Sequence, residues 1–188
     1  MSNKTIIFQD YEITSYENFI EISKKDDIVL DVDITGCTIY FCACENGDID
    51  FIKSLERDFE IDFSHKIKGG FDAYLWSAWS GQVDVMKYLE EKHNWNIKTK
   101  SSSGFNALFL AIDGEHINVI DYLIDTHNWN ILEKDGKGLN ALDWARSLSN
   151  KKIFKYLLKK LEKRNSGGKN GKRKANDVDD KLGKIPRK

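Results

Sequence analysis

The stretch His93-Asn94-Trp95-Asn96-Ile97 returns 34 residues later as His127-Asn128-Trp129-Asn130-Ile131. Five adjacent matches at a fixed distance mark an internal repeat, and periods of about 20 to 50 residues belong to stacked helical or strand units. Working outward, the same interval separates Gly36, Gly70, Gly104 and Gly138. One column of the register reads Leu55, Leu89, Leu123, Leu157, and a second reads Phe51, Val85, Val119, Ile153. A third, Ala43, Ser77, Ala111, Ala145, holds only small side chains, and Phe63, Ile97 and Ile131 follow in step.

Each unit has the same internal order. In the third, Gly104-Phe105-Asn106 reads as a turn ending in a capping asparagine. Ala107 to Ile112 then forms a short, strongly apolar helix, broken at Asp113-Gly114. Val119, Ile120, Leu123 and Ile124 repeat at the spacing of one helical face. Trp129 to Lys137 turns polar, with Gly136 and Gly138 as breakers. Turn, helix, turn, helix, loop is a unit too small to bury its own apolar face, so consecutive units must stack.

The pattern resembles the ankyrin repeat. Gly104-Phe105-Asn106-Ala107-Leu108-Phe109-Leu110-Ala111-Ile112 is similar to the family's first helix, Gly47-Asp48 and Gly81-Gln82 to its mid-turn, and Val119-Ile120-Asp121-Tyr122-Leu123-Ile124 to its second helix. The resemblance spans roughly residues 36 to 161. It implies an all-α solenoid of about four helix-turn-helix units with hairpin-like loops, near 36–69, 70–103, 104–137 and 138–164. No unit keeps the proline or histidine of the family's Thr-Pro-Leu-His motif, and only Thr38 keeps its threonine. The mid-turn glycine slips to Gly114 in the third unit and is lost at Ser149 in the fourth, and these losses, of threonine and of glycine alike, are expected to remove turn-stiffening hydrogen bonds and leave a less rigid array. The tetratricopeptide, a helical repeat of the same period, would need helix through Trp95 to Ser103, a β-branched and serine-rich stretch unsuited to it.

The ends differ from the middle. Thr14-Ser15-Tyr16-Glu17 reads as a capping box before a helical face of Tyr16, Phe19, Ile20 and Ser23. Residues 1–35 are therefore expected to form an N-terminal capping half-repeat, with Asp27 to Thr35 as its closing loop. From 165 to 188 no apolar periodicity remains, and a disordered basic tail is expected.

The formal charge of −1 is unevenly spread. Residues 1 to 70 carry 15 acidic and 7 basic side chains, net −8, whereas 162 to 188 carry 4 acidic and 10 basic, net +6. No apolar run reaches the roughly 18 residues of a membrane span, and the first residues lack a signal-peptide core. Three cysteines, an odd number, fit a reducing compartment, so cytoplasm or nucleus is the expected location.

Catalytic and metal chemistry find little support in the residues. Cys37, Cys42 and Cys44 lack zinc-knuckle spacing, and no second pair completes four ligands. They read as buried small apolar residues, with neither metal nor cofactor implied. His93 and His127 hold a repeat-defined place after the second helix, where they are expected to meet carbonyls at the helix end. No phosphate loop, metalloprotease helix or nucleophile elbow occurs, so the chain reads as a non-enzyme.

Five tryptophans carry more information. Trp95 and Trp129 match one another and read as packing between closing loops. Trp76 and Trp144 share a column with Cys42 and Leu110, which in the family points into the concave groove. Trp79 lies three residues beyond Trp76, on the same helical face. Trp76, Trp79, Leu110 and Trp144 are thus the candidate partner-binding residues, aromatics being the side chains that contribute most to protein affinity. Separately, Lys159, Lys160, Lys172, Arg173 and Lys174 resemble a bipartite nuclear-import signal, read by an import receptor as an extended basic segment. The expected function is a protein-interaction scaffold, the alternative being a nuclear factor that meets nucleic acid through its basic tail.

Overall fold

The computed structural model describes residues 6–8, 11–26, 38–135 and 137–167. A two-stranded antiparallel ribbon, β1 (Ile6–Phe8) and β2 (Tyr11–Ile13), leads into α1 (Tyr16–Asp26). Four helix pairs follow: α2 (Ile39–Asn46) with α3 (Ile49–Asp58), α4 (Ala73–Trp79) with α5 (Val83–His93), α6 (Ala107–Asp113) with α7 (Ile117–Asp121), and α8 (Ala141–Ser147) with α9 (Lys151–Gly167). Helix α7 runs on through Tyr122–Thr126 as a wider π turn. The even-numbered inner helices stack in sequence, α2 on α4, α4 on α6, α6 on α8. Strand β1 lies against the open side of α2, a place that the sequence reading gives to a helical half-repeat.

The periodic columns build the core. Leu55, Leu89, Leu123 and Leu157 are fully buried, as are Val85, Val119 and Ile153, with Phe51 nearly so. Ala43, Ser77, Ala111 and Ala145 are also fully buried; small side chains there let successive inner helices approach. At the start of each inner helix stands a short polar residue, Thr38, Asp72, Asn106 or Asn140. Its side chain accepts a hydrogen bond from a backbone N–H in the first turn, for example Phe109 N to Asn106 Oδ1 at 3.1 Å. Aspartate and asparagine therefore supply the turn hydrogen bond that the loss of threonine was expected to remove.

The closing loops end in hairpin tips, where Ile67, Ser101 and Asp135 donate their N–H groups to the carbonyls of Phe71, Phe105 and Leu139 at 3.0, 2.9 and 2.8 Å. Gly70, Gly104 and Gly138 make these turns at φ of 76, 81 and 80°, a backbone region that favours glycine. Gly36 lies outside the described residues. The mid-turn corrects the sequence reading. Its left-handed position is Gly47, Gly81, Glu115 and Ser149, with φ of 70, 81, 61 and 57°. The conformation does not slip to Gly114, whose φ is −76°. Gly114 has another reason to be glycine, since a Cβ there would collide with the Trp79 carbonyl and the His116 ring.

The five-residue repeat is explained member by member. Asn94 and Asn128 take the left-handed position after the second helix, at φ of 49 and 52°. Asn96 and Asn130 turn the loop by accepting from the N–H two residues ahead, each at 3.0 Å. Trp95 packs edge-on to Phe63, and Trp129 is buried beneath the ammonium of Lys98, 4.0 Å from its ring centroid. The histidines differ from expectation: they meet carboxylates of the preceding unit instead of carbonyls. Glu56 accepts from Tyr40 at 2.8 Å and Tyr88 at 2.6 Å, and its Oε1 lies 2.9 Å from His93 Nε2. Glu90 accepts in the same way from Tyr74 at 2.8 Å and Tyr122 at 2.9 Å. His127 Nε2 also sits 2.9 Å from Glu90, out of hydrogen-bond alignment. Each glutamate thus ties one unit to the next. Burial foremost, and the glutamate after it, raises the hydroxyl pKa of Tyr74, Tyr88 and Tyr122 well above 10. Burial does the same to Tyr40, with Cys44 and Glu56 adding to it.

The two ends also depart from the sequence reading. The first cap is Ser15, whose Oγ accepts from Asn18 N at 3.1 Å while Asn18 Oδ1 accepts from Thr14 N at 3.2 Å. Tyr16 and Phe19 of α1 then pack on Phe51 of α3. At the other end α9 carries helix through Gly167, past the point where the tail was expected to begin.

Candidate partner-binding groove

Trp76, Trp79, Leu110 and Trp144 all line one cavity of about 320 Å³. The inner helices α4, α6 and α8 place them side by side, one register column supplying Trp76, Leu110 and Trp144. Trp79, one turn on, rests on Trp76 with ring centroids 4.9 Å apart. Sequence reasoning missed the other walls. Phe71 and Phe105, just after the hairpin glycines, reach in from the loop tips, and Phe109 and Asp113 come from α6. The missed signal was periodic: Phe71 and Phe105 stand one period apart, and Asp113 stands one period after Trp79.

The lining divides into a buried floor and an open mouth. Phe109 and Leu110 are buried, Trp76, Trp144, Phe71 and Phe105 are half-buried, and Trp79 is 36% exposed. Trp144 packs at a tilt against Phe105, with ring centroids 4.8 Å apart. Polar groups are few. Trp79 Nε1 donates to Asp113 Oδ2 at 3.3 Å, while the buried Nε1 atoms of Trp76 and Trp144 have no hydrogen-bond partner among the described residues. Indole N–H groups in such positions usually find an acceptor.

Cys42 shares the groove column but is buried beside Cys44, and it does not line the cavity. Cys37 lies outside the described residues, and among those described no cluster of His, Cys, Asp and Glu could hold a metal ion. No helix among them is long and apolar enough to cross a membrane.

The basic residues of the import reading are differently placed. Lys159 is exposed on α9, whereas Lys160 Nζ lies 2.7 Å from Asp121 and 2.6 Å from Asp125. Partial burial lowers the Lys160 pKa, but the two aspartates outweigh it and hold the ammonium above the usual lysine range. Arg164, beyond it on α9, donates to the Trp129 and Ile124 carbonyls. Lys172, Arg173 and Lys174 lie outside the described residues. A receptor that reads extended backbone would have to draw Lys160 out of helix and away from both aspartates.

Stacked helix pairs that share a core and leave one lined groove define a helical repeat solenoid, a build suited to extended recognition surfaces. Residues 75–166 match the family model for ankyrin repeats (3 copies). This stretch is built of ankyrin repeats, which are in general protein–protein interaction modules. The chain matches no curated protein.

Proposed function

We propose that this chain is a non-catalytic recognition module whose partner protein docks in the groove between the inner helices and the hairpin tips. One observation carries the reading: Trp79 is 36% exposed at the mouth of a cavity walled by Trp76, Phe105, Leu110 and Trp144. Contiguous exposed apolar surface marks an interaction site more often than a structural need. Large rings held rigid by packing lose little entropy on binding, which is why tryptophan dominates interface energetics. For a partner retained by the immobilised chain, Trp76→Ala or Trp79→Ala is expected to weaken binding by about 2 kcal/mol or more. Unchanged affinity in both variants would move the interface to the outer loops.

A second reading rests on charge. The +6 of residues 162–188, with Lys159 and Lys160 just before them, supports contact with an import receptor or with nucleic acid through Lys159, Lys160, Lys172, Arg173 and Lys174. The test is the nuclear entry of a fusion too large to diffuse passively, with and without Lys172→Ala, Arg173→Ala and Lys174→Ala. Equal entry by both forms would remove this reading.

A further inference from the structure

We infer that the groove is built to take a cationic side chain, an arginine or lysine presented by the partner segment. The inference rests on the groove reading above and specifies the chemistry of its occupant. Charge on the inner helices is lopsided. The helices α2, α4, α6 and α8 carry Glu45, Asp113, Asp143 and Arg146 as their charged residues. The one cation among them, Arg146, is turned to the outer helix, its guanidinium 5.0 Å from the Phe154 ring centroid. Asp143 is used locally, accepting from Asn140 N at 3.2 Å. Asp113 lines the aromatic cavity and is exposed; it accepts from Trp79 Nε1 at 3.3 Å and forms no ion pair with a cation among the described residues. Elsewhere carboxylates beside aromatic rings have found cations or histidines, as Asp121 and Asp125 have found Lys160, and Glu56 has found His93.

The rest of the lining suits a cation as well. Phe71, Trp76, Trp79, Phe105, Phe109 and Trp144 line the cavity with aromatic rings, whose π faces attract ammonium and guanidinium groups, tryptophan most strongly. The chain already uses this attraction at the rim, where Lys137 Nζ lies 5.5 Å from the Phe105 ring centroid. A long cationic side chain can lay its methylenes along the rings and bring its head to the Asp113 carboxylate. An acidic side chain entering the same space would meet Asp113 and lose its hydration with no compensating partner.

The test uses the full chain labelled with nitrogen-15 and four end-blocked pentapeptides, Ala-Leu-X-Leu-Ala, where X is arginine, lysine, norleucine or glutamate. The indole N–H signals of Trp76, Trp79 and Trp144 report binding at millimolar peptide. The arginine and lysine peptides are expected to shift these signals and to bind about fivefold or more tightly than the norleucine peptide. Asp113→Asn, an exposed change that keeps an acceptor for Trp79 Nε1, is expected to erase most of that preference. Added salt is expected to weaken the lysine peptide and leave the norleucine peptide unaffected. If norleucine binds as well as lysine, the cation inference falls and the groove reading stands. If the indole signals stay fixed with all four peptides, both fall.

Discussion

The outer and inner sides of this array treat their polar groups in opposite ways. On the outer helices Glu56 accepts from two tyrosine hydroxyls and meets His93, and Glu90 accepts from two tyrosine hydroxyls with His127 close by but unaligned, so most of their hydrogen-bonding capacity is spent within the chain. On the inner side the buried Trp76 and Trp144 N–H groups lack partners among the described residues, and Trp79 faces solvent. These clasps of glutamate, tyrosine and histidine obey the repeat, pairing as Tyr40 with Tyr74, Glu56 with Glu90, Tyr88 with Tyr122 and His93 with His127. The groove residues break it: the groove column runs Cys42, Trp76, Leu110, Trp144, and the next runs Glu45, Trp79, Asp113, Ser147. Where a side chain recurs in register it holds units together; where the register is broken lies the surface proposed above for a partner.

The largest expected effect tests the repeated side. Leu89 and Leu123 are fully buried, so either changed to alanine is expected to cost about 2 to 5 kcal/mol in urea unfolding. Losses under about 0.5 kcal/mol at both sites would show that the shared column is not the core.

Next is alkaline pH. The raised tyrosine pKa values mean that the folded chain keeps protons that the unfolded chain releases above pH about 10. The clasp contribution is therefore whole below that pH and shrinks as pH rises toward the folded values. Unfolding free energy measured from pH 8 to 12 is expected to be flat and then to fall, with tyrosinate absorbance appearing together with unfolding. Replacing Tyr74 and Tyr122 with phenylalanine is expected to reduce the alkaline slope. A slope identical to that of the parent chain would break the link between clasp and stability.

A smaller effect sharpens the comparison within the turns. Glu115 holds a left-handed backbone that its unit inherits from a glycine position, a conformation that costs a non-glycine residue about 1 to 2 kcal/mol. Glu115→Gly is expected to stabilise the chain by about 1 kcal/mol, the added freedom of the unfolded glycine offsetting part of the relief. Gly114→Ala is expected to do the reverse, because its Cβ meets the Trp79 carbonyl.

Much of the architecture was legible because backbone demands are periodic. Leucine columns, hairpin glycines and capping residues each answer a local requirement that recurs with every unit. The clasps were harder to see: Glu56 meets Tyr88 and His93 across a unit boundary, at separations of 32 and 37 residues. Only their doubling, in Glu90 with Tyr122 and His127, marks them in the sequence. The mid-turn was misread because residue identity was taken for conformation. Ser149 and Glu115 show the fold imposing a left-handed turn on residues that would not choose it. At the groove, one helical column gave Trp76, Leu110 and Trp144, but the hairpin tips that bring Phe71 and Phe105 beside them belong to the tertiary arrangement.

The most direct test of the division between the two sides is the urea-unfolding stability of Glu90→Ala and Trp79→Ala, measured side by side. Glu90→Ala strands two tyrosine hydroxyls and removes the charge beside His127, so a loss of roughly 2 to 4 kcal/mol is expected. Trp79→Ala removes a ring that is already 36% exposed, and a loss under about 1 kcal/mol is expected. The reverse order, with the tryptophan costing more than the glutamate, would make the inner rings part of the fold's support and contradict the account.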